Sequence, residues 1–458
     1  MRRLLYVGAA ALFIVAIYFL FSALYVRSYR AGSVPRVPVG RDGVIFIVTD
    51  NVRADRTSLC GYARPTTPAL KALAAAPGAV STCRAYAPGS WTLPSHASYF
   101  TGLAAVQHLA HEYGGAVKDA SGTRIITRTL KKEEVTLAER FRERGYQTAL
   151  VAANPVVGAA TGLSQGFWYG RAAKKFGELD APELVDELKR VLREDLNPMG
   201  GPLFLTVNLA DAHRPWKAIP ADHDWLPRRK KLQYDNENDG ERWKMFLEGR
   251  MSEPERASFL RHLTDVYDYG IERADGGVAA VLETVRAAGW CRDECRIVVT
   301  SDHGEFLGEH HLIDHGFYTW EENANVYVVA QGVEVTSLPE PFPGLAIHDL
   351  VLDGRLPDPL PRVEAWAWPH VRRAIHSSGK AFGSMSVARW TGLIKEMWLD
   401  GTYYRFDLAK DPHELGEAGG TPEAGFTDLK TLLELQSTRA GADEARMMEA
   451  LEAAGYIE

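Results

Sequence analysis

Five short apolar runs punctuate the chain: Val44–Val48, Thr148–Ala152, Leu203–Asn208, Ile297–Thr300 and Val326–Ala330. They are rich in β-branched residues and show little polar alternation, the pattern of strands buried on both faces of a parallel sheet. Between them lie segments with helical spacing, such as Leu137–Arg144 before Gly145 and Ile271–Ala288 before Gly289. A glycine directly after the last periodic position is a common helix stop. Strands alternating with helices predict an α/β fold with a mostly parallel central sheet flanked by helices. From about Asp222 to Asp265 the pattern gives way to dense charge, which reads as a solvated helical insertion, either a plain exposed face or a lid over a site. Beyond about Gln331 the apolar runs thin and prolines cluster from Leu338 to Pro361, marking a smaller C-terminal α+β subdomain.

The amino-terminal segment has another pattern. Leu4 to Val26 is apolar throughout, without a charged residue, and follows Arg2 and Arg3. About 20 apolar residues cross a bilayer as a helix, whereas a signal-peptide core is roughly 7–15 long. The segment therefore reads as an uncleaved single-pass anchor, with a cleaved signal peptide as the alternative. Arg2 and Arg3 favour an internal amino terminus, while Arg27, Arg30, Arg36 and Arg41 pull the other way. The short flank and the large domain behind it favour an extracytoplasmic main domain. The expected organisation is an anchor at 1–30, a linker at 31–42, the main α/β domain at 43–335, and the subdomain and tail at 336–458.

The net charge of −7, with no long basic block, gives no sign of nucleic-acid binding, so an anionic substrate needs a local cluster of cations. Sequence order suggests disulfides Cys60–Cys83 and Cys291–Cys295, which suit an oxidising compartment. Four unpaired thiols are the alternative; a four-cysteine zinc site has the wrong spacings.

Candidate chemistry gathers where ligands bind in such sheets, beyond the carboxyl ends of the strands. Asp50 follows the first run, and Asp302 with His303 follows the run ending at Thr300. Carboxylates plus one imidazole suit Mn²⁺ or Zn²⁺ and, less readily, Ca²⁺. For Asp50 taken alone, a helix N-cap is the lesser alternative. The segment Ser90-Trp91-Thr92-Leu93-Pro94-Ser95-His96 places Pro94 in a first helical turn and Thr92 at or near the N-cap. Thr92 then either caps the helix or uses the positive helix end, beside a metal, to attack an anionic ester.

Here the residues carry a resemblance. Ile47-Val48-Thr49-Asp50 with Arg53-Ala54-Asp55, then Gly61 to Pro68, resembles the opening of sulfatases and related phosphotransferases. Thr92-Leu93-Pro94-Ser95-His96 is similar to the sulfatase signature Cys/Ser-x-Pro-Ser-Arg. Asp211-Ala212-His213-Arg214-Pro215-Trp216, the segment from Ser301 to Gly316, and Tyr404 to Glu414 resemble further family segments in family order. The resemblance implies one divalent ion (Mn, Zn, Ca or Mg, with Mn or Zn favoured) on Asp50, Asp302, His303 and Thr92. It makes Thr92 the nucleophile and implies that His213 and His315 contact the ester oxygens or serve the leaving group. Arg53, His96 (in place of the signature Arg) and Asn154 are the implied substrate contacts or organisers. Asp211 with His213 and His315 is a candidate second ligand set, though one metal is the expectation.

The departures direct the chemistry. A threonine cannot become formylglycine, Asn51 replaces the second Asp of the sulfatase pair, and Val151 to Pro155 occupies the family's Lys-Trp-His stretch. Thr92 with Asp50, Asp302 and His303 looks more like lipoteichoic acid synthases, phosphoethanolamine transferases and nucleotide phosphodiesterases, which form a phosphothreonine. The expectation is a phosphate-ester hydrolase or transferase acting on an anionic envelope lipid or glycan. A sulfuric ester hydrolase and a non-catalytic envelope protein are the alternatives.

Overall fold

The computed structural model describes residues 43–119, 122–196, 201–230, 237–291, 295–368, 385–423 and 425–437. The expected membrane anchor, Leu4 to Val26, lies outside them. Among the described residues no helix is long and apolar enough to cross a membrane.

The strands of the large sheet are β1 (Gly43–Thr49), β2 (Val80–Tyr86), β3 (Gln147–Ala152), β4 (Tyr169–Ala172), β5 (Leu203–Leu209), β6 (Cys295–Thr300), β7 (Asn325–Gln331) and β8 (Phe342–Pro343). Their order is β8-β2-β7-β6-β1-β5-β3-β4. Within this sheet only β7 runs against the others, pairing antiparallel with both β6 and β2. All five apolar runs read from the sequence are strands here. β1 is buried at every position. Its Ile45 and Ile47 enter one core, and Val44, Phe46 and Val48 the other. That two-sided burial is why the run lacks polar alternation.

Helix α1 (Thr92–Thr101) packs in the second core, and α2 (Ala181–Glu194) in the first. Helix α3 (Glu237–Leu247) precedes the long α4 (Glu253–Ala287). The sequence pattern had α4 beginning at Ile271. It begins instead at Glu253, where Glu255 Oε2 accepts from the Ser252 amide at 2.9 Å in a capping box. Its first half escaped detection because polar side chains there are buried in ion pairs. Asp265 bonds Arg64 and Arg229, and Asp268 bonds Arg56 and Arg64. Nor is the charged insertion simply a solvated face. Trp243 and Phe246 of α3 are buried, and the Arg214 guanidinium lies 4.4 Å over the Trp243 ring.

The two disulfides are Cys60–Cys83 and Cys291–Cys295, as sequence order suggested. The second sheet, entirely antiparallel, contains β9 (Val363–Ala367), β10 (Ser386–Thr391), β11 (Ile394–Leu399) and β12 (Thr402–Asp407) in that order. The chain leaves the large sheet only after β8, so the small sheet starts at Val363.

Close packing of α4 on α2 depends on Gly277, where a Cβ would lie 2.9 Å from both Ala181 Cβ and Leu209 Cδ2. Gly277→Val should therefore lower stability by about 1–3 kcal/mol through overpacking. Urea denaturation of the variant against the parent measures it.

Candidate active site

Adjacent parallel strands set the first two ligands side by side. β1 pairs with β6 in register Val48 to Thr300, so Asp50 and Asp302 emerge at the same carboxyl edge. Both are fully buried. Their carboxylates face the His303 ring, whose Nε2 lies 3.8 Å from Asp50 Oδ1 and 3.5 Å from Asp302 Oδ2. The Gly304 carbonyl accepts from His303 Nδ1 at 3.0 Å, which leaves the lone pair on Nε2 pointing at the carboxylates. Only glycine fits after His303, because a Cβ on Gly304 would lie 2.0 Å from the Glu322 carbonyl oxygen.

Thr92 completes the cluster. Its Oγ1 lies 3.4 Å from His303 Nε2. It is the first residue of α1, and the cap position belongs to Trp91, with no side-chain capping bond. The plain capping role for Thr92 is therefore not what its hydroxyl does. The hydroxyl sits at the positive end of a helix and faces an acid–imidazole cluster.

Two asparagines brace these groups. Asn154 Nδ2, just beyond β3, donates to Asp50 Oδ2 at 2.7 Å and to Thr92 Oγ1 at 3.0 Å. Asn208, at the end of β5, donates from Nδ2 to the same Asp50 oxygen at 3.0 Å and accepts from the Asn154 amide at 3.0 Å. The sequence reading did not single out Asn208. Its signal was a lone amide near the end of an otherwise apolar strand. His96 is buried under Thr92, with Nδ1 3.0 Å from the Thr92 carbonyl and 3.4 Å from Asp302 Oδ2. The nearer carbonyl takes the proton, so His96 fixes the first turn of α1 from below.

Asn51 adopts φ 70°, a left-handed conformation that asparagine tolerates better than most residues. This turn sends its amide to Asp302 Oδ1 at 3.0 Å and its side-chain nitrogen to Glu305 Oε2 at 2.6 Å. Tyr267 of α4 holds the turn by donating to the Asn51 carbonyl at 2.7 Å and accepting from the Arg53 amide at 3.0 Å. Arg53 is brought beside the site, but its three guanidinium nitrogens donate to Asp55, the Glu305 carbonyl and Glu309. It organises the loop.

The remaining histidines line the rim. The His315 ring is 4.5 Å from His303 and 4.9 Å from His213, and Phe176 stacks on His213 at 4.4 Å. Asp211 does not join them. It bonds Arg273 Nε at 3.0 Å, because the chain turns sharply after β5 and sends residues 211 and 213 to different partners.

Whether these residues suit a cation is answered by their oxygens. Asp50 Oδ1 and Asp302 Oδ2 are buried with no hydrogen-bond partner. Orphaned buried carboxylate oxygens are costly, and here they converge with an imidazole lone pair. The set fits a divalent ion. Burial, then the Asp302 charge, pushes Asp50 up to about 6. Burial also raises Asp302, but the adjoining His303 and His96 rings and the Asn51 amide outweigh it and hold that carboxyl below its ordinary value. Burial and the charge of Asp314 push Glu305 up to about 8.

Comparison with known proteins bears on the family and the fold. The profile described as Sulfatase matches residues 43–329. Among solved structures, a complex of BT4656 with D-glucosamine-2-N,6-O-disulfate has a TM-score of 0.62 at 14% identity, covering 89% of this chain and 98% of that one. A putative sulfatase from Bacteroides thetaiotaomicron VPI-5482 has a TM-score of 0.59 at 16% identity, covering 91% and 94%. The phosphonate monoester hydrolase of Agrobacterium radiobacter has a TM-score of 0.56 at 17% identity, covering 90% and 96%. No curated protein matches the sequence. The profile spans well over half of the chain and marks it as an enzyme of the sulfatase class. The chain belongs to the sulfatase family.

Metal uptake must displace the Asp50 proton where one is present. At limiting metal, occupancy should therefore fall as pH drops through about 6. Titration of the metal-stripped protein with Zn²⁺ or Mn²⁺ at several pH values tests this. Asp302→Asn protein pre-loaded with Zn²⁺ should lose the ion of the Asp50–His303 cluster on dialysis.

Proposed function

We propose that the protein cleaves or transfers a phosphate ester through a covalent phosphothreonine at Thr92. The observation that carries this reading is the Thr92 hydroxyl. It starts a helix, touches His303 and Asn154, and belongs to a residue that formylglycine chemistry cannot use.

The chain's own groups divide the work as follows. Asn154 donates to Oγ1 and fixes the rotamer of Thr92, so a lone pair is held for in-line attack. The free amides of the first turn of α1 stabilise negative charge on the non-bridging oxygens. Thr92 enters as the alkoxide, its proton given up to solvent beforehand, and Oγ1 forms the new bond to phosphorus as the bond to the leaving oxygen breaks. His213, its Nδ1 held by the Arg214 carbonyl at 2.5 Å, gives the departing oxygen its proton from the other ring nitrogen. His315 contacts an ester oxygen. In the second half, water or an acceptor alcohol attacks the phosphothreonine, its proton passes to His213, and Thr92 is restored. A divalent ion held by Asp50, Asp302, His303 and Thr92 would lower the hydroxyl pKa and offset charge on the phosphoryl group.

The sulfate-ester reading has support in the family match and in the likeness to a structure titled with a disulfated glucosamine. The likeness to a phosphonate monoester hydrolase is comparable and lies on the phosphorus side. We further infer that Leu4 to Val26 anchors the protein as a single-pass membrane protein with its catalytic domain outside the cytoplasm. The disulfides accord with an oxidising compartment. An enzyme so tethered would meet envelope lipids or glycans.

With matched phosphate and sulfate esters, the phosphate ester should turn over faster. Thr92→Ala should lose activity by at least on the order of 10³-fold, as nucleophile removal commonly does. Rapid quenching of the parent should leave one phosphoryl group on the peptide containing Thr92. Full activity in Thr92→Ala, or preference for the sulfate ester, would contradict the reading. His213→Ala should slow esters of alkyl alcohols by on the order of 10²–10⁴-fold, and nitrophenyl esters far less. Comparing kcat for the two ester types checks this.

A further inference from the structure

Beside the Asp50–Asp302–His303 cluster lies a second group of donors with no part in the chemistry above apart from His315. The short antiparallel pair Phe306–Leu307 and Ile313–Asp314 brings Glu305, Asp314 and His315 together. Glu305 and Asp314 are fully buried and His315 is 3% exposed. One donor atom from each lies within 4.8 Å of the others. His315 Nδ1 is 2.8 Å from Glu305 Oε2 and 3.2 Å from Asp314 Oδ1. Ligands on adjacent corners of an octahedron with bonds near 2.1 Å stand about 3 Å apart. Both His315 separations lie near that value, and the shorter is a hydrogen bond that a bound ion would replace.

Two further observations point to a missing ligand. Glu305 Oε1 and Asn51 Oδ1 are both buried without a hydrogen-bond partner. They belong to side chains in contact, since Asn51 Nδ2 donates to the other Glu305 oxygen at 2.6 Å. His315 Nδ1 carries at most one hydrogen, so it cannot serve both carboxylates at once. Arg214 Nη2 pairs with Asp314 Oδ2 at 2.6 Å. A third acid–histidine group, His310, Glu322 and Glu414, makes a useful contrast. There the Lys395 ammonium lies 2.5 Å from Glu414 Oε1 and already supplies the cation. Among the described residues, no hydrogen-bond donor serves Glu305 Oε1.

We propose that Glu305, Asp314, His315 and Asn51 form a second divalent-cation site, making the centre binuclear with Asp50, Asp302 and His303 as the other half. Three oxygen donors and one nitrogen select a hard ion, Mg²⁺ or Mn²⁺, over a thiophilic one. The neighbouring Arg214 charge makes this the weaker of the two sites. The His315 and His303 rings are 4.5 Å apart, so the second ion would meet the ester from the His315 side. The proposal rests on the reading of the first cluster as a metal centre.

The test is a metal count on the full chain, stripped with chelator and titrated with Mn²⁺, using elemental analysis together with the electron paramagnetic resonance of the bound ions. The expected result is two Mn²⁺ per chain with a spin-coupled signal. Glu305→Gln and Asp314→Asn should each bind one ion with an uncoupled signal, while Asp302→Asn keeps the ion of the second site. One Mn²⁺ in the parent, unchanged in Glu305→Gln and lost in Asp302→Asn, would overturn the second site and leave the first intact. No bound ion in the parent would overturn both. The parent's count does not depend on how well any variant folds.

Discussion

Two buried carboxylates forced together at the end of a parallel strand pair are the constraint around which the site is arranged. β1 and β6 are neighbours, and each ends in an aspartate at the same edge. In a low-dielectric surround, like charges so placed repel strongly unless something offsets them. The structure meets that demand in layers. His303 and His96 supply imidazoles, Asn154 and Asn208 supply amide donors to one Asp50 oxygen, and the Asn51 amide reaches Asp302. What remains is one orphaned oxygen on each aspartate, directed towards His303.

The same constraint explains distant features. Asn51 must turn left-handed to reach both Asp302 and Glu305, and Tyr267 from the long helix α4 clamps that turn. Arg53 is then drawn into the loop between Glu305 and Glu309, tying the segment after β1 to the segment after His303. The C-terminal sheet takes part as well. Lys395 of β11 is completely buried, bonds the Thr319 carbonyl at 2.6 Å and meets Glu414 from the end of the chain's last family segment. Glu414 in turn accepts from the Glu321 amide at 2.7 Å. The small sheet thus holds the stretch that follows His315 rather than contributing a ligand to the cluster around Thr92.

Thr92 gains its importance from context. A threonine at the first position of a helix is unremarkable by itself. Here its hydroxyl is turned away from capping and held by Asn154. An amide in that place positions a hydroxyl without adding positive charge. Under the proposed function, that unmodified hydroxyl is the reacting group.

Much of this was legible in the chain. Strands buried on both faces must be continuously apolar, so the five runs identified the large sheet without knowledge of its order. Acids at strand ends and the Thr92 segment identified three of the four groups now seen facing one another, and His303 followed from its neighbour. Other features depend on long-range packing that no local pattern encodes. β7 runs antiparallel, Asp211 swings to Arg273 while His213 faces the site, and Asp314 reaches Glu305 through a two-residue strand pair. The first half of α4 was hidden because its buried aspartates are neutralised by arginines far away in sequence. Sequence by itself determined which chemistry-bearing side chains the protein has and on which strand ends they stand, because hydrophobic periodicity is local. Tertiary structure decided which of them meet, because two charges come together only when distant strands pair in register and bury them.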